Sequence, residues 1–326
     1  MSTYPCFSIT DKASFQEIAM RVFRDQSKHV KVYREYLEAI QVDPLTVGKW
    51  EDIPYLPIEF FRTREVMKEG LNAEVVFQSS GSTSAKSSKH FVADSSLYIE
   101  SFTRGFEMHY GNIGEYALLA LLPSYLQKGD SSLVFMTDHL IKESKNSFSG
   151  FYLDNYSSLS IALNTLKEHR LKTILLGVSY ALLDLAEQFP MQFSELIIME
   201  TGGMKGRRKE LVKEELHSIL KTRFGIEKIH SEYGMTELLS QAYSTGDGIF
   251  HCPPWMKVRI REMNDPFHFV DNQKTGGVCI TDLANLNSCA FIATQDLGRL
   301  YPNGCFEILG RFDDAEARGC NLLVDF

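Results

Sequence analysis

The sequence predicts an α/β fold with a largely parallel sheet, a helical N-terminal part and a smaller β-rich unit near its end. Three observations carry this. Apolar residues at helical spacing recur through the first seventy residues. From about Ala73, short apolar runs alternate with amphipathic stretches, the pattern of strands joined by helices. From about Gly248 the helical pattern gives way to alternating segments separated by Gly, Asn and Pro. The expected parts are therefore residues 1–72, 73–247, 248–312 and a tail at 313–326.

The elements follow in order. Ile18, Ala19, Val22 and Phe23 share one helical face, with Thr10 as the expected N-cap, and Val32, Tyr33, Tyr36, Leu37 and Ile40 repeat the spacing. Asp43-Pro44 and Gly48 close this part, and Ile53-Pro54-Tyr55-Leu56-Pro57 links it to the next. Strands are expected at 75–78, 116–122, 133–136, 173–176 and 196–199, and helices at 94–106, 157–169, 180–189 and 208–220. Functional groups of such sheets gather beyond the C-terminal strand ends. Antiparallel strands are expected at 257–262, 277–281, 289–293 and 306–309.

Composition excludes several classes. A chain of 326 residues with 44% hydrophobic and 23% charged residues is neither disordered nor low-complexity. Its 34 basic and 42 acidic residues leave a net charge of −8, which argues against a dedicated nucleic-acid binder. No signal peptide is visible in residues 1–10, and no apolar run reaches the roughly 20 residues of a membrane span. A cytoplasmic location is expected. The six cysteines form no C-x-x-C pair and read as reduced thiols.

Four segments carry candidate chemistry. Ser79-Ser80-Gly81-Ser82-Thr83-Ser84, with Lys86 and Lys89 beyond, follows a strand; it reads either as a phosphate cradle of backbone N–H and hydroxyl groups or as a flexible surface loop. No second Gly precedes Lys86, so it is not a Walker A loop. Gly177-Val178-Ser179-Tyr180-Ala181 approximates a nucleophile elbow, or is a strand-to-helix turn with a capping Ser. A hydrolase would then draw on His230, His251 or His268. In Tyr233-Gly234-Met235-Thr236-Glu237 a hydroxyl and a carboxylate suit a phosphate and its Mg²⁺, although Thr236 and Glu237 would also start a helix. Asp296, expected at a strand end, with Arg311, suits the vicinal hydroxyls of a ribose, or is a turn residue.

Taken in order, these segments resemble the adenylate-forming superfamily of acyl-CoA synthetases, adenylation domains and luciferases. The series runs from the hydroxyl-rich loop through Gly202-Gly203, the motif at Tyr233, Gly234, Met235, Thr236 and Glu237, and Asp296 to Gly310-Arg311-Phe312-Asp313-Asp314, spanning about 79–319. The length, the helical first part and the ending Ala317-Arg318-Gly319-Cys320-Asn321-Leu322 resemble the acyl-protein synthetase family of LuxE type. The resemblance implies the superfamily's N-terminal-domain fold, layered largely parallel sheets with helices and a small β subdomain, without its mobile C-terminal domain. It implies ATP and Mg²⁺ as cofactors. A carboxylic acid, fatty in this family, becomes acyl-AMP, and its acyl group passes to a protein thiol, with an acyl-CoA reductase-type protein as partner. Ser79, Ser80, Gly81, Ser82, Thr83 and Ser84 would hold the β- and γ-phosphates. Gly202, Gly203, Tyr233 and Gly234 would serve the adenine side. Thr236 would meet the α-phosphate, Glu237 the Mg²⁺, Asp296 and Arg311 the ribose, and Cys320 would accept the acyl group.

The sequence also departs from the superfamily pattern. Ser84 stands where Gly is usual, and no Pro-Lys pair follows. The hinge position falls at Asp313 with only a short tail after it, so without the usual adenylation lysine the step is expected to use another cation, depend on a partner or be slow. The competing readings are an acid–CoA ligase of phenylacetate type, a Ser179 hydrolase and a non-catalytic nucleotide-binding subunit.

Overall fold

The computed structural model describes residues 4–79, 87–122, 130–202 and 212–312. The chain forms two compact units, Met1–Ser101 with Thr236–Ser240 and His251–Phe326, and Phe102–Met235 with Gln241–Phe250.

In the first unit, helix Lys12–His29 begins at Asp11, not at Thr10. Asp11 accepts from the Ser14 backbone while Ser14 returns a bond to the Asp11 backbone, a reciprocal cap that the Thr10 side chain does not supply. Helix Lys31–Ala39 follows. Their apolar faces supply Phe23 and Tyr33, which pack with Tyr55 and Phe291 in one buried aromatic cluster. Each such ring contributes roughly 2 kcal/mol through burial. Gln26, fully buried, is tied by its amide to the carbonyl of Asn285 (2.7 Å) and the N–H of Ala290 (2.9 Å), so the first helix is locked to residues far along the chain.

The β-rich part of this unit is an antiparallel sheet of Phe306–Arg311, Phe291–Leu300, Thr275–Asp282 and Met256–Arg261, in that order. Leu56–Pro57 adds to Phe291–Leu300 in parallel. The expected strand at 289–293 is thus longer, and Asp296 lies within it rather than at its end. The pairing with Phe306–Arg311 shifts register at Leu297/Gly298. A Cβ at Gly298 would meet the Glu307 carbonyl oxygen at 2.5 Å, so only Gly lets the strands approach there. Val75–Gln78 pairs antiparallel with Lys89–Val92 as a separate two-stranded ribbon, outside the parallel sheet in which it was expected.

The second unit is built on a sheet ordered Gly150–Phe151, Ala117–Leu121, Thr173–Gly177, Leu196–Glu200 and His230–Tyr233, all parallel, with Ala242–Ser244 antiparallel at one edge. Ala117–Leu121 and Thr173–Gly177 are buried along their whole length, which is why they read as unbroken apolar runs. Helices Tyr156–Glu168, Ser179–Gln188 and Lys213–Phe224 fall near their expected places. The strand expected at 133–136 is instead part of helix Ser132–Ser144. Leu133, Val134, Phe135 and Met136 look like a strand in isolation. The buried set Ser132, Met136, Thr137, Leu140 and Ser144 nevertheless has helical spacing, and Ser131 caps the Val134 N–H. Among the described residues no helix is long and apolar enough to cross a membrane, and Cys6, Cys252, Cys279, Cys289 and Cys305 are free thiols.

Candidate functional site

The candidate residues fall in both units. Ser79, Thr236, Glu237, Asp296 and Arg311 belong to the first, and Gly202, Tyr233 and Gly234 to the second. Ser80, Gly81, Ser82, Thr83, Ser84, Lys86, Gly203, Asp313 and Cys320 lie outside the described residues.

In the first unit, Thr236 and Glu237 sit in a turn, not at the start of a helix. Three neighbours hold that turn. His90 is fully buried on Lys89–Val92, and its Nδ1–H donates to the Thr236 carbonyl (2.9 Å). Burial pushes the His90 pKa down to about 4, so the ring is neutral and this tautomer is the one the carbonyl requires. Asn285 Nδ2 donates to the Glu237 carbonyl (2.8 Å). Asp282 accepts from the N–H groups of Leu239 (2.8 Å) and Ser240 (3.0 Å), from the Ser240 hydroxyl (2.5 Å) and from the Ala284 N–H (3.1 Å). Backbone groups that a buried turn would leave orphaned are thus paired.

The Glu237 side chain is 5% exposed. Burial raises its pKa, opposed by a hydrogen bond from Ser88 and by the charges of Arg62 and Arg311. Ser88 also closes the base of the hydroxyl-rich loop: Ser79 N–H donates to the Ser88 carbonyl (3.0 Å) and Ser88 N–H to Ser79 Oγ (2.9 Å). The two ends of that loop therefore lie at Glu237. Lys89 projects from the exposed side of its strand, opposite His90.

Asp296 and Arg311 face each other across neighbouring strands, with Arg311 Nε 3.6 Å from Asp296 Oδ1. Arg311 Nη2 also donates to Gln295 Oε1 (3.3 Å). In the first unit Ser88 thus joins Ser79 to Glu237, Arg311 pairs with Asp296, and the Arg311 charge acts on Glu237. The fit to Mg²⁺ rests on Glu237. It is a buried carboxylate that its neighbours compensate only in part, and a divalent cation would complete its partners. Among the described residues no group of three or more His, Cys, Asp or Glu is placed to hold a metal ion. One carboxylate plus substrate oxygens is the donor set Mg²⁺ takes beside nucleotides, since it keeps part of its water shell.

In the second unit, Glu200 ends its strand and organises the turn that follows. Its carboxylate accepts from the Gly202 N–H (3.0 Å), the Ser179 hydroxyl (3.0 Å) and the Ser231 hydroxyl (3.1 Å), with Lys213 Nζ at 3.5 Å and His217 Nε2 at 3.8 Å. Burial alone would raise its pKa. His217, Lys213 and the Gly202 N–H overcome this and hold it down to about 2. Gly202 has φ +72°, a left-handed conformation that favours glycine. Nearby Glu232 is pushed up to about 8 by burial and by the Glu200 charge. The Tyr233 ring packs on Phe250 with centroids 5.7 Å apart.

The Ser179 hydrolase reading is corrected by this geometry. Ser179 is 3% exposed, and its hydroxyl donates to the Glu200 carboxylate, whose pKa of about 2 makes it too weak a base to take the proton of a nucleophilic serine. His230 is engaged with the Tyr110 hydroxyl instead (3.1 Å).

The sequence reading missed Arg62, His90, Asp282, Asn285 and Gln295. Arg62, His90, Asp282 and Asn285 bond to residues 233, 146, 42 and 48 positions away along the chain. The local signals were slight: a histidine on the inward side of a short alternating strand, and an Asp closing an apolar run.

No protein-family model matches the sequence, and no curated protein matches it. Solved structures do match in fold. The ATP-bound RpMatB-BxBclM chimera B3 has TM-score 0.58 at 15% identity, over 76% of this chain and 50% of that one. ATP-bound MatB from Rhodopseudomonas palustris has TM-score 0.55 at 16% identity, over 72% and 47%. An open conformation of 2-hydroxyisobutyryl-CoA ligase in complex with 2-HIB-AMP and CoA has TM-score 0.66 at 12% identity, over 93% and 70%. The chain spans about half the length of the MatB structures it matches. The mixed α/β architecture is that of the adenylate-forming ligases, and this chain has their fold.

Proposed function

We propose that the chain activates a carboxylic acid with ATP and passes the acyl group to a protein cysteine. The acid's carboxylate oxygen attacks the α-phosphorus. The bond to the β-phosphate bridging oxygen breaks, pyrophosphate leaves with that electron pair, and acyl-AMP remains. A thiolate then attacks the acyl carbon and AMP departs. The acid is of fatty type, the acceptor is Cys320, and an acyl-CoA reductase-type protein takes the acyl group onward.

The observation that supports this reading is the turn at Thr236 and Glu237, clamped from three sides in a fold shared with ligases that have been solved with ATP or an acyl-AMP. Chemistry of this kind is mainly positioning and charge neutralisation, so a rigid hydroxyl and carboxylate are what the reaction needs. In the first unit, Thr236 donates to the α-phosphate, the loop from Ser79 to Ser84 holds the β- and γ-phosphates, and Asp296 with Arg311 holds the ribose. In the second unit, Gly202, Gly203, Tyr233 and Gly234 serve the adenine. Glu237 would hold Mg²⁺, which supplies neutralising charge to the phosphates. CoA as acceptor is the second reading, favoured by the 2-hydroxyisobutyryl-CoA ligase complex with CoA.

The test is ATP–pyrophosphate exchange over a panel of carboxylic acids. Exchange driven by one acid class is expected, and its absence with every acid overturns the reading. With that acid radiolabelled, Cys320→Ser should keep exchange and lose covalent labelling. A Cys320→Ser protein that labels normally removes Cys320, and faster turnover with CoA selects the second reading.

A further inference from the structure

We propose that Arg62 binds a phosphate group of the nucleotide, beside the Arg311 guanidinium that serves the ribose. The inference rests on the ATP reading above and adds to it a residue from the N-terminal part of the chain. Arg62 lies on the one-turn helix Phe60–Thr63, which directly follows the strand Leu56–Pro57. The ring of Phe61, 1% exposed, is set edge-on against His90 at 5.7 Å. Phe60 packs on Tyr36 at 6.0 Å. The backbone beneath Arg62 is therefore held on both sides.

The side chain converges on the same group as Arg311. Arg62 Nη2 donates to Gln295 Oε1 at 3.4 Å, and Arg311 Nη2 donates to the same oxygen at 3.3 Å. The Gln295 amide is fixed in this orientation because its Nε2 donates to Glu59 Oε1 at 2.7 Å. Two guanidinium groups thus meet at one neutral oxygen. Like charges this close repel unless an anion compensates them. Arg311 has Asp296 at 3.6 Å. Among the described residues no carboxylate oxygen lies within the 4 Å of an ion pair from Arg62. The buried Glu237 carboxylate feels both positive charges without pairing with either.

Each guanidinium has five N–H donors in a planar fork, and Arg62 spends one of them on Gln295. The remaining donors suit an anion with several oxygens in one place, which is the chemistry of a phosphate group. The neighbouring Glu237 and Ser88, beside the base of the hydroxyl-rich loop, put that anion where the reading above has the nucleotide's phosphates.

The experiment measures equilibrium binding of ATP and of adenosine to the full chain and to Arg62→Gln, Arg62→Lys and Arg64→Gln. Arg64 is the control, because its guanidinium is already paired with Glu35 at 2.5 Å. Arg62→Gln should weaken ATP at least about tenfold, the loss of a charge-assisted contact. It should leave adenosine binding and the thermal midpoint unchanged. Arg62→Lys should recover part of the loss, and Arg64→Gln should bind ATP normally. The proposal is overturned if Arg62→Gln binds ATP as the unaltered chain does, if it loses ATP and adenosine equally, or if Arg64→Gln loses as much. An unaltered chain that binds no ATP overturns the function reading as well, which separates the two failures.

Discussion

Glu200 and Glu237 are both glutamates with almost no exposed side chain, one in each unit, and they are held in opposite ways. Glu200 has a backbone N–H, two hydroxyls, a lysine and a histidine around it, and its pKa falls to about 2. Glu237 has one hydroxyl and two guanidinium charges that do not pair with it, and its pKa rises. Burial costs both carboxylates the same kind of hydration energy, so the difference lies in what replaces the lost water. A fully satisfied buried charge fixes structure, here the turn through Gly202. A partly satisfied one holds an unmet demand for positive charge, which a metal–nucleotide complex would fill. Asp282 shows that burial can still leave a net upward shift beside several donors, and its place is to hold the Thr236–Ser240 turn.

Substitutions test this contrast. The largest effect is expected from Glu200→Ala, which strands Lys213 and several buried donors. Unfolding stability should fall by about 3–5 kcal/mol in urea titration, and a loss under about 1 kcal/mol would break the contrast. Glu237→Gln should behave in the opposite way. The ligand-free protein should keep its stability within about 1 kcal/mol, while acid-dependent pyrophosphate exchange drops roughly 100-fold. Asp282→Asn should cost about 1–3 kcal/mol, because an amide brings N–H groups to N–H donors. It should slow exchange without changing the Mg²⁺ dependence.

The smallest effect is a pair of opposite pH slopes. The Glu200 pKa is lowered on folding, so its contribution is complete above the ordinary carboxylate value of about 4.5 and is lost as pH falls toward about 2. The Glu237 pKa is raised, so its contribution is present below that ordinary value and is lost as pH rises through the higher folded value. Glu200→Gln should therefore flatten the acid limb of a stability–pH curve, and Glu237→Gln the loss on the rising side. Identical slopes in the two variants would contradict the assignment.

Much of this was legible in the residues. Ala117–Leu121, Thr173–Gly177 and Leu196–Glu200 announce themselves as short, nearly unbroken apolar runs, because strands buried on both faces need no polar alternation. The 132–144 segment was misread because four apolar residues fit a strand and a helix equally well, and only the full set of buried positions separates the two. Asp296 and Arg311 were paired from motif order alone, and the strand register sets them side by side.

The sequence by itself determined the α/β class, the parallel sheet, the β-rich end and the order of the chemical motifs, because periodicity and motif spacing are local properties. Tertiary structure decided which groups satisfy one another. His90 reaches the Thr236 carbonyl across 146 residues, Asn285 reaches the Glu237 carbonyl across 48, and Arg62 meets Gln295 across 233. Hydrogen bonds and charges act over a few ångströms of space, so distance along the chain carries no trace of them until the backbone has folded.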